Sequence, residues 1–202
     1  MTRRIRIRPG QYGRFEQIKN PKEIGKLIEL RIRAFESAGI RGGGEDEWDL
    51  KDSTRYFAVV DGEGNIEKAI RVIKRTAESS LPCELNLFKD ILNPSERIKL
   101  GGLLGKYSGD EKTVVEISGI VGDHKTRGSV HTLVGGVMNL EGKESWDLLL
   151  QVQHPRHAKA YGHFLPYGVI ASNFVDYSGR PATLLALAKE EYLSSLKDLK
   201  KD

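Results

Sequence analysis

The chain has a single cysteine, Cys83, among its 202 residues. One thiol excludes an internal disulfide framework and any cysteine-built zinc module. No apolar run approaches the roughly 18 residues a membrane-spanning helix needs, which excludes an integral helical membrane protein. The opening Met1-Thr2-Arg3-Arg4-Ile5-Arg6 carries no apolar stretch behind its charges. It does not read as a secretory leader, and the expected location is cytoplasmic. Aromatic residues make up 7% of the chain, with no cluster of them interleaved with basic residues, so no nucleic-acid partner is expected. The net charge of +4 is too small to imply one by itself, yet it allows an acidic partner.

Several catalytic signatures are missing too. Gly101-Gly102-Leu103-Leu104-Gly105-Lys106-Tyr107 is one residue short of a phosphate loop, and Tyr107 stands where a magnesium-holding Ser or Thr is needed. No G-x-G-x-x-G follows a strand, and no G-x-S-x-G elbow is present. His154, His157 and His163 lack a carboxylate at ligand spacing, so they read as ordinary histidines and no metal is expected. Cys83 reads as a small buried side chain rather than a nucleophile.

What is present suits one soluble domain. A hydrophobic fraction of 39% against 30% charged is enough to build a core. The expected layout is a single domain over 1–202, with a basic strand or arm at 1–15 and a solvated tail at 197–202. Ile5 and Ile7 alternate with arginines at strand period. Such a segment is either an edge strand guarded by charge or a docking surface for something acidic. Asn20 caps a helix that starts at Pro21, carries the stripe Ile24, Leu27, Ile28, Ile32 and Phe35, and stops at Gly39. The glycine-rich acidic stretch 41–52 reads as a flap over a site or as a tolerated insertion. A hairpin follows, with strands at 56–60 and 66–74 around an Asp-Gly turn. Leu81 to Leu85 reads as extended, and Pro94 to Leu100 as a helical turn ending at Gly101-Gly102. The β-branched run Thr113 to Val121 reads as a buried strand. Helices are expected at Ser129–Leu140 and from Pro155 to Phe164, and extended segments at Trp146–Val152 and Leu165–Ala171. Thr183–Leu199 reads as a helix whose first part has a strand alternative. The fold class is therefore α/β with a mixed sheet.

The most informative segment is Val114-Val115-Glu116-Ile117-Ser118-Gly119-Ile120-Val121. It sets a carboxylate inside an apolar strand. Burial raises a carboxyl pKa, which suits Glu116 to act as general base toward an amine. The alternative is a carboxylate paired with an arginine such as Arg71. The strand feeds the loop His124-Lys125-Thr126-Arg127-Gly128-Ser129 and then a helix. Main-chain N–H groups there, with Lys125 and Arg127, make an anion site suited to a pyrophosphate or phosphopantetheine.

Here the chain resembles the GNAT superfamily of N-acyltransferases. Lys125-Thr126-Arg127-Gly128-Ser129-Val130 stands where that fold has its Q/R-x-x-G-x-G/A phosphate loop. Further motifs are similar to the branch holding acyl-homoserine-lactone (autoinducer) synthases and N-acyl amino acid synthases. They are Leu30-Arg31-Ile32-Arg33-Ala34-Phe35, the hairpin from Asp52 to Asp61 with Ala69-Ile70-Arg71-Val72-Ile73, and Leu81-Pro82-Cys83-Glu84. Glu116-Ile117-Ser118 resembles an E-x-S-R strand, with Gly119 in place of arginine. His154-Pro155-Arg156-His157, Tyr161 and Tyr177 to Ala182 are similar to the terminal portion of the synthases.

The resemblance implies a single-domain acyltransferase fold whose sheet splays between the strands at 113–121 and 146–152. It implies transfer of an acyl group from a thioester, on acyl carrier protein phosphopantetheine or coenzyme A, to the amine of an amino-acid-like small molecule. In that reading Glu116 is the base and Tyr161 protonates the departing thiolate. Ile117, Ser118, Lys125, Arg127, Gly128 and Ser129 hold the donor, and Arg33 and Arg71 hold an acceptor carboxylate. Both arginines equally suit structural ion pairs. The arginine-rich start complements an acidic carrier protein. Two alternatives stay open: an acetyl-coenzyme A acetyltransferase, and a thioester-binding protein without turnover, the latter suggested by Gly119 and Val130.

Overall fold

A computed structural model describes residues 3–8, 11–37, 39, 46–84, 91–122, 129–162, 165–176 and 179–198. The described chain divides into two compact units. One comprises residues up to Ile73 together with Ser118–Leu140, and the other comprises Lys74–Ile117 together with the residues from Glu141 onward.

The first unit begins with strands β1 (Arg3–Arg8) and β2 (Gln11–Ile18), helix α1 (Pro21–Ser37), and the hairpin β3 (Thr54–Val60) and β4 (Ile66–Lys74). The expected first strand is there, at the sheet edge, antiparallel to β2 with Arg4 opposite Arg14. β2 itself was not expected. It pairs β3 antiparallel, Arg14 opposite Val60 and Ile18 opposite Tyr56. Asn20 starts α1 as expected: its side-chain oxygen accepts the Lys22 N–H at 3.0 Å and its carbonyl the Ile24 N–H at 3.0 Å. Gly39 ends the helix region with φ +68° while its N–H bonds the Glu36 carbonyl at 2.9 Å. Leu27 and Ile28 from α1 pack with Ile18, Tyr56, Ala58, Val60 and Ala69. Helix α3 (Ser129–Met138) also belongs here and packs on β2 and β3. Phe15 stacks on Phe57 at a centroid distance of 5.5 Å, and Gly136 of α3 lies close against the Phe15 ring.

Strand β5 (Val114–Gly122) contributes to both units. The sheet order is β1-β2-β3-β4-β5 in the first unit and β5-β6-β8-β7 in the second. The second unit holds β6 (Leu148–Gln153), β7 (Gly168–Val175) and β8 (Pro181–Ala188). With them are α2 (Pro94–Lys106), α4 (Pro155–Gly162) and α5 (Lys189–Asp198). β5 and β6 run parallel, and β6 pairs β8 antiparallel from Leu148↔Ala188 to Gln153↔Thr183. Leu148, Leu149, Leu150, Leu184 and Leu187 are all buried, as expected of strands covered on both faces. Asp147 ties the start of the parallel pair, accepting the Thr113 N–H at 2.8 Å and donating its own N–H to the Thr113 carbonyl at 2.7 Å.

Four expectations change. Residues 82–84 are helical rather than extended, because Pro82 suits the first helical position and Glu84 bonds back to the Leu81 N–H at 2.8 Å. The helix from Pro94 runs through Gly101-Gly102 to Lys106. A reciprocal capping box between Asn93 and Glu96 starts it, and buried Leu100 and Leu104 hold it. The strand β7 begins at Gly168, after the expected start at Leu165. Residues 181–188 take the strand alternative, and the helix begins only at Lys189. Residues 41–45, Leu85, Phe164 and the tail 199–202 lie outside the described residues. No helix among the described residues is long and apolar enough to cross a membrane.

Candidate active site

Glu116 is the third residue of β5, a strand rich in valine and isoleucine. Strand period puts Val114, Glu116 and Ser118 on one side of β5 and Val115 and Ile117 on the other. Glu116 is 3% exposed. Its Oε2 accepts the main-chain N–H of Cys83 at 2.8 Å. Ile117 is buried and pairs with Gln151. The β5–β6 ladder runs from Val114↔Leu148 to Ile117↔Gln151, four pairs of a nine-residue strand.

Cys83 itself is buried. Burial, and after it the charge of the adjacent Glu116 carboxylate, push its thiol well above the ordinary value. A thiol held protonated agrees with its reading as a packing residue. The turn carrying Cys83 is pinned by Glu84, itself buried. The Glu84 carboxylate takes the Arg75 Nε–H at 3.0 and 3.1 Å as well as the Leu81 N–H.

In the first unit the dominant feature is a buried ionic network. Asp49 accepts from Arg31 Nη1 at 2.7 Å, Arg71 Nη1 at 2.7 Å, the Tyr56 hydroxyl at 2.6 Å and the Asp46 N–H at 2.9 Å, with a further contact from Arg31 Nη2. Arg71 also donates to Asp46 at 2.6 Å, and its Nε donates to the Ser118 hydroxyl at 2.9 Å. Burial alone would raise the Asp49 carboxyl, but the bonds from Arg31, Tyr56 and the Asp46 amide outweigh it and hold it at about 2. For Arg71, burial is likewise outweighed by the aspartates, which raise it. Burial and the Asp49 charge raise the Tyr56 phenol.

The network changes the reading of 41–52. Its described part is no loose insertion: Trp48 and Asp49 are buried, and the Thr54 hydroxyl holds the Trp48 carbonyl at 2.6 Å. Arg71 meets Asp46, Asp49 and Ser118. Arg33 is exposed on α1, whereas its neighbour Arg31, passed over in the sequence, is buried on the stripe with Leu27 and Ile28. Spacing was the available signal, since Arg31 lies four residues after Leu27 and three after Ile28.

Of the other site candidates, Ser129 opens α3 and Tyr161 lies near the end of α4, with their side chains outside the description. Lys125, Arg127 and Gly128 lie outside the described residues. His154 and His157 sit 6.0 Å apart ring to ring, and burial with the neighbouring His154 lowers His157. Among the described residues no group of three or more His, Cys, Asp and Glu could hold a metal ion.

No protein-family model matches the chain, and no curated protein matches it. Solved structures do. FeeM, an N-acyl amino acid synthase from uncultured soil microbes, superposes with a TM-score of 0.70 at 18% identity, covering 96% of this chain and 95% of FeeM. The AHL synthase LasI gives 0.62 at 14% identity, with 92% and 94% covered. Arabidopsis thaliana NAA60, in complex with acetyl-CoA, gives 0.54 at 17% identity, with 87% and 98% covered. The fold is that of the GNAT acyltransferases, α/β with a mixed sheet flanked by helices, and synthases of the branch the motifs resemble are among its neighbours.

Proposed function

We propose that this chain is an N-acyltransferase that moves an acyl group from a carrier-protein or coenzyme A thioester to the amine of an amino-acid-like acceptor. The observation that carries this is a buried carboxylate, Glu116, on β5 of an acyltransferase fold, one residue before the β5–β6 ladder stops at Ile117. The amine nitrogen attacks the thioester carbon. Glu116 accepts the amine proton, directly or through a water. Main-chain N–H groups of β5 past Ile117 polarise the carbonyl. The carbon–sulfur bond breaks, the amide forms, and Tyr161 gives a proton to the leaving thiolate.

The donor phosphate is held by the loop of Lys125, Arg127, Gly128 and Ser129, with Ile117 and Ser118 along the pantetheine arm. Arg33, exposed, meets the acceptor carboxylate. Arg71 fixes the Ser118 hydroxyl. The arginines of β1, namely Arg3, Arg4, Arg6 and Arg8, meet an acidic acyl carrier protein. All of this operates as one acyltransferase domain.

A donor screen tests it. The protein is incubated with acetyl-coenzyme A, a long-chain acyl-coenzyme A or a long-chain acyl carrier protein and a mixture of amino acids, and products are read by mass spectrometry. The reading expects N-acyl amino acids. Acetyl transfer alone favours the acetyltransferase alternative, and no amide from any donor defeats the reading.

A further inference from the structure

We propose that Glu84 and Arg75 are positioning residues for Glu116, acting through the main-chain N–H of Cys83. The inference rests on the reading of Glu116 as the base, and it follows a closed ring of bonds that begins and ends on β5. The Arg75 N–H bonds the Val114 carbonyl at 2.9 Å, which anchors Arg75 to the start of the strand. Arg75 Nε reaches both oxygens of the Glu84 carboxylate, at 3.0 and 3.1 Å. Glu84 Oε2 takes the Leu81 N–H at 2.8 Å, and the Glu84 N–H closes the turn on the Leu81 carbonyl at 3.0 Å. The Cys83 N–H, now fixed in direction, meets Glu116 Oε2 at 2.8 Å. Glu116 lies two residues beyond Val114, on the same side of β5.

The chemistry explains why such a ring matters. A carboxylate on a flexible three-bond side chain turns freely unless an oxygen is fixed, and a base must meet the amine proton in one orientation. A main-chain N–H is a rigid donor, provided its turn is rigid. Pro82 and the doubly engaged Glu84 supply that rigidity, and Glu84 is only 8% exposed, so its bond to the buried Leu81 N–H is shielded from water.

Cys83 reports on the ring, because it is the only cysteine and lies at the junction. The experiment combines Glu84→Gln, Glu116→Gln and their double variant, all first checked for a cooperative thermal transition. In the first arm, maleimide labelling of Cys83 is followed by mass spectrometry. Glu84→Gln is expected to raise the labelling rate by about tenfold through local opening of the turn. An unchanged rate overturns the ring. In the second arm, Glu84→Gln is expected to lower kcat by about ten- to a hundredfold with KM for donor and acceptor unchanged. In the Glu116→Gln background the same change is expected to alter residual turnover by less than about twofold. Equal losses in both backgrounds, or a full kcat in Glu84→Gln, overturn the proposal. Wild-type turnover in Glu116→Gln alone instead overturns the assignment of the base, while the labelling arm still reads the ring. Arg75→Lys, which keeps the charge and loses the Nε donor, is expected to fall between wild type and Glu84→Gln in both arms.

Discussion

Replacing Asp49 by asparagine tests the buried network most severely. The substitution keeps the shape of the side chain, removes its charge, and turns one acceptor oxygen into an amide donor facing guanidinium donors. The Asp49 side chain is fully buried between Arg31 and Arg71, themselves 4% and 6% exposed. Removing one partner from a buried ionic group leaves the others uncompensated, at a cost of about 3–5 kcal/mol. The depressed carboxyl pKa points the same way. A fall from the ordinary 3.8 to about 2 corresponds to about 2 kcal/mol of stability contributed by ionised Asp49. The folded-state pKa is the lower one, so this contribution is complete above about pH 4 and is lost as pH falls through about 2. Urea unfolding at pH 7 is the assay. With a slope of about 2 kcal/mol per molar, Asp49→Asn is expected to lower the midpoint by about 1.5–2.5 M with the slope unchanged. Repeated between pH 4 and 2, the variant is expected to lose less stability than wild type by about 2 kcal/mol. A midpoint shift below about 0.5 M, or parallel acid profiles, refutes the reasoning.

Other substitutions probe other parts of the fold. A methyl added at Gly136 would sit 2.4 Å from the Phe15 ring, so Gly136→Ala is expected to destabilise by about 1–3 kcal/mol in thermal unfolding. Gly135→Ala, with nothing within 4 Å, is expected to stabilise by up to about 1 kcal/mol, and the same sign at both positions contradicts the packing. Asn93→Ala removes the cap of α2 and is expected to cost about 1 kcal/mol, with Glu96→Ala adding less on top of it than alone because the two bonds are reciprocal. Cys83 in the native wild-type protein is expected to label far more slowly with maleimide at pH 8 than in urea, and equal rates contradict its burial.

The elements were legible where local chemistry decides them. Asn20-Pro21 and the spacing of Leu27 and Ile28 announce α1, and the β-branched run around Glu116 announces β5. The misreadings have physical causes. Gly101 and Gly102 looked like a stop, but the capping box and the burial of Leu100 and Leu104 override glycine's weak helix preference. Leu81-Pro82-Cys83-Glu84 looked extended because of its proline, although proline with glutamate two residues later is a helix-start pattern. The network of Arg31, Asp46, Asp49 and Arg71 was hidden for another reason. Its partners lie up to 25 residues apart, and no local rule pairs an acidic loop residue with an arginine on a distant strand. Glu116 was legible as a buried carboxylate, while its partner, a main-chain N–H of the Cys83 turn, carries no side-chain signature at all.

The central claim is that Glu116 takes the proton from an attacking amine. Steady-state turnover of Glu116→Gln, measured with whichever thioester the donor screen identifies, tests it most directly when thioester binding is measured alongside by calorimetry. The account predicts kcat reduced by about a hundredfold or more with thioester affinity retained. Turnover equal to wild type contradicts it.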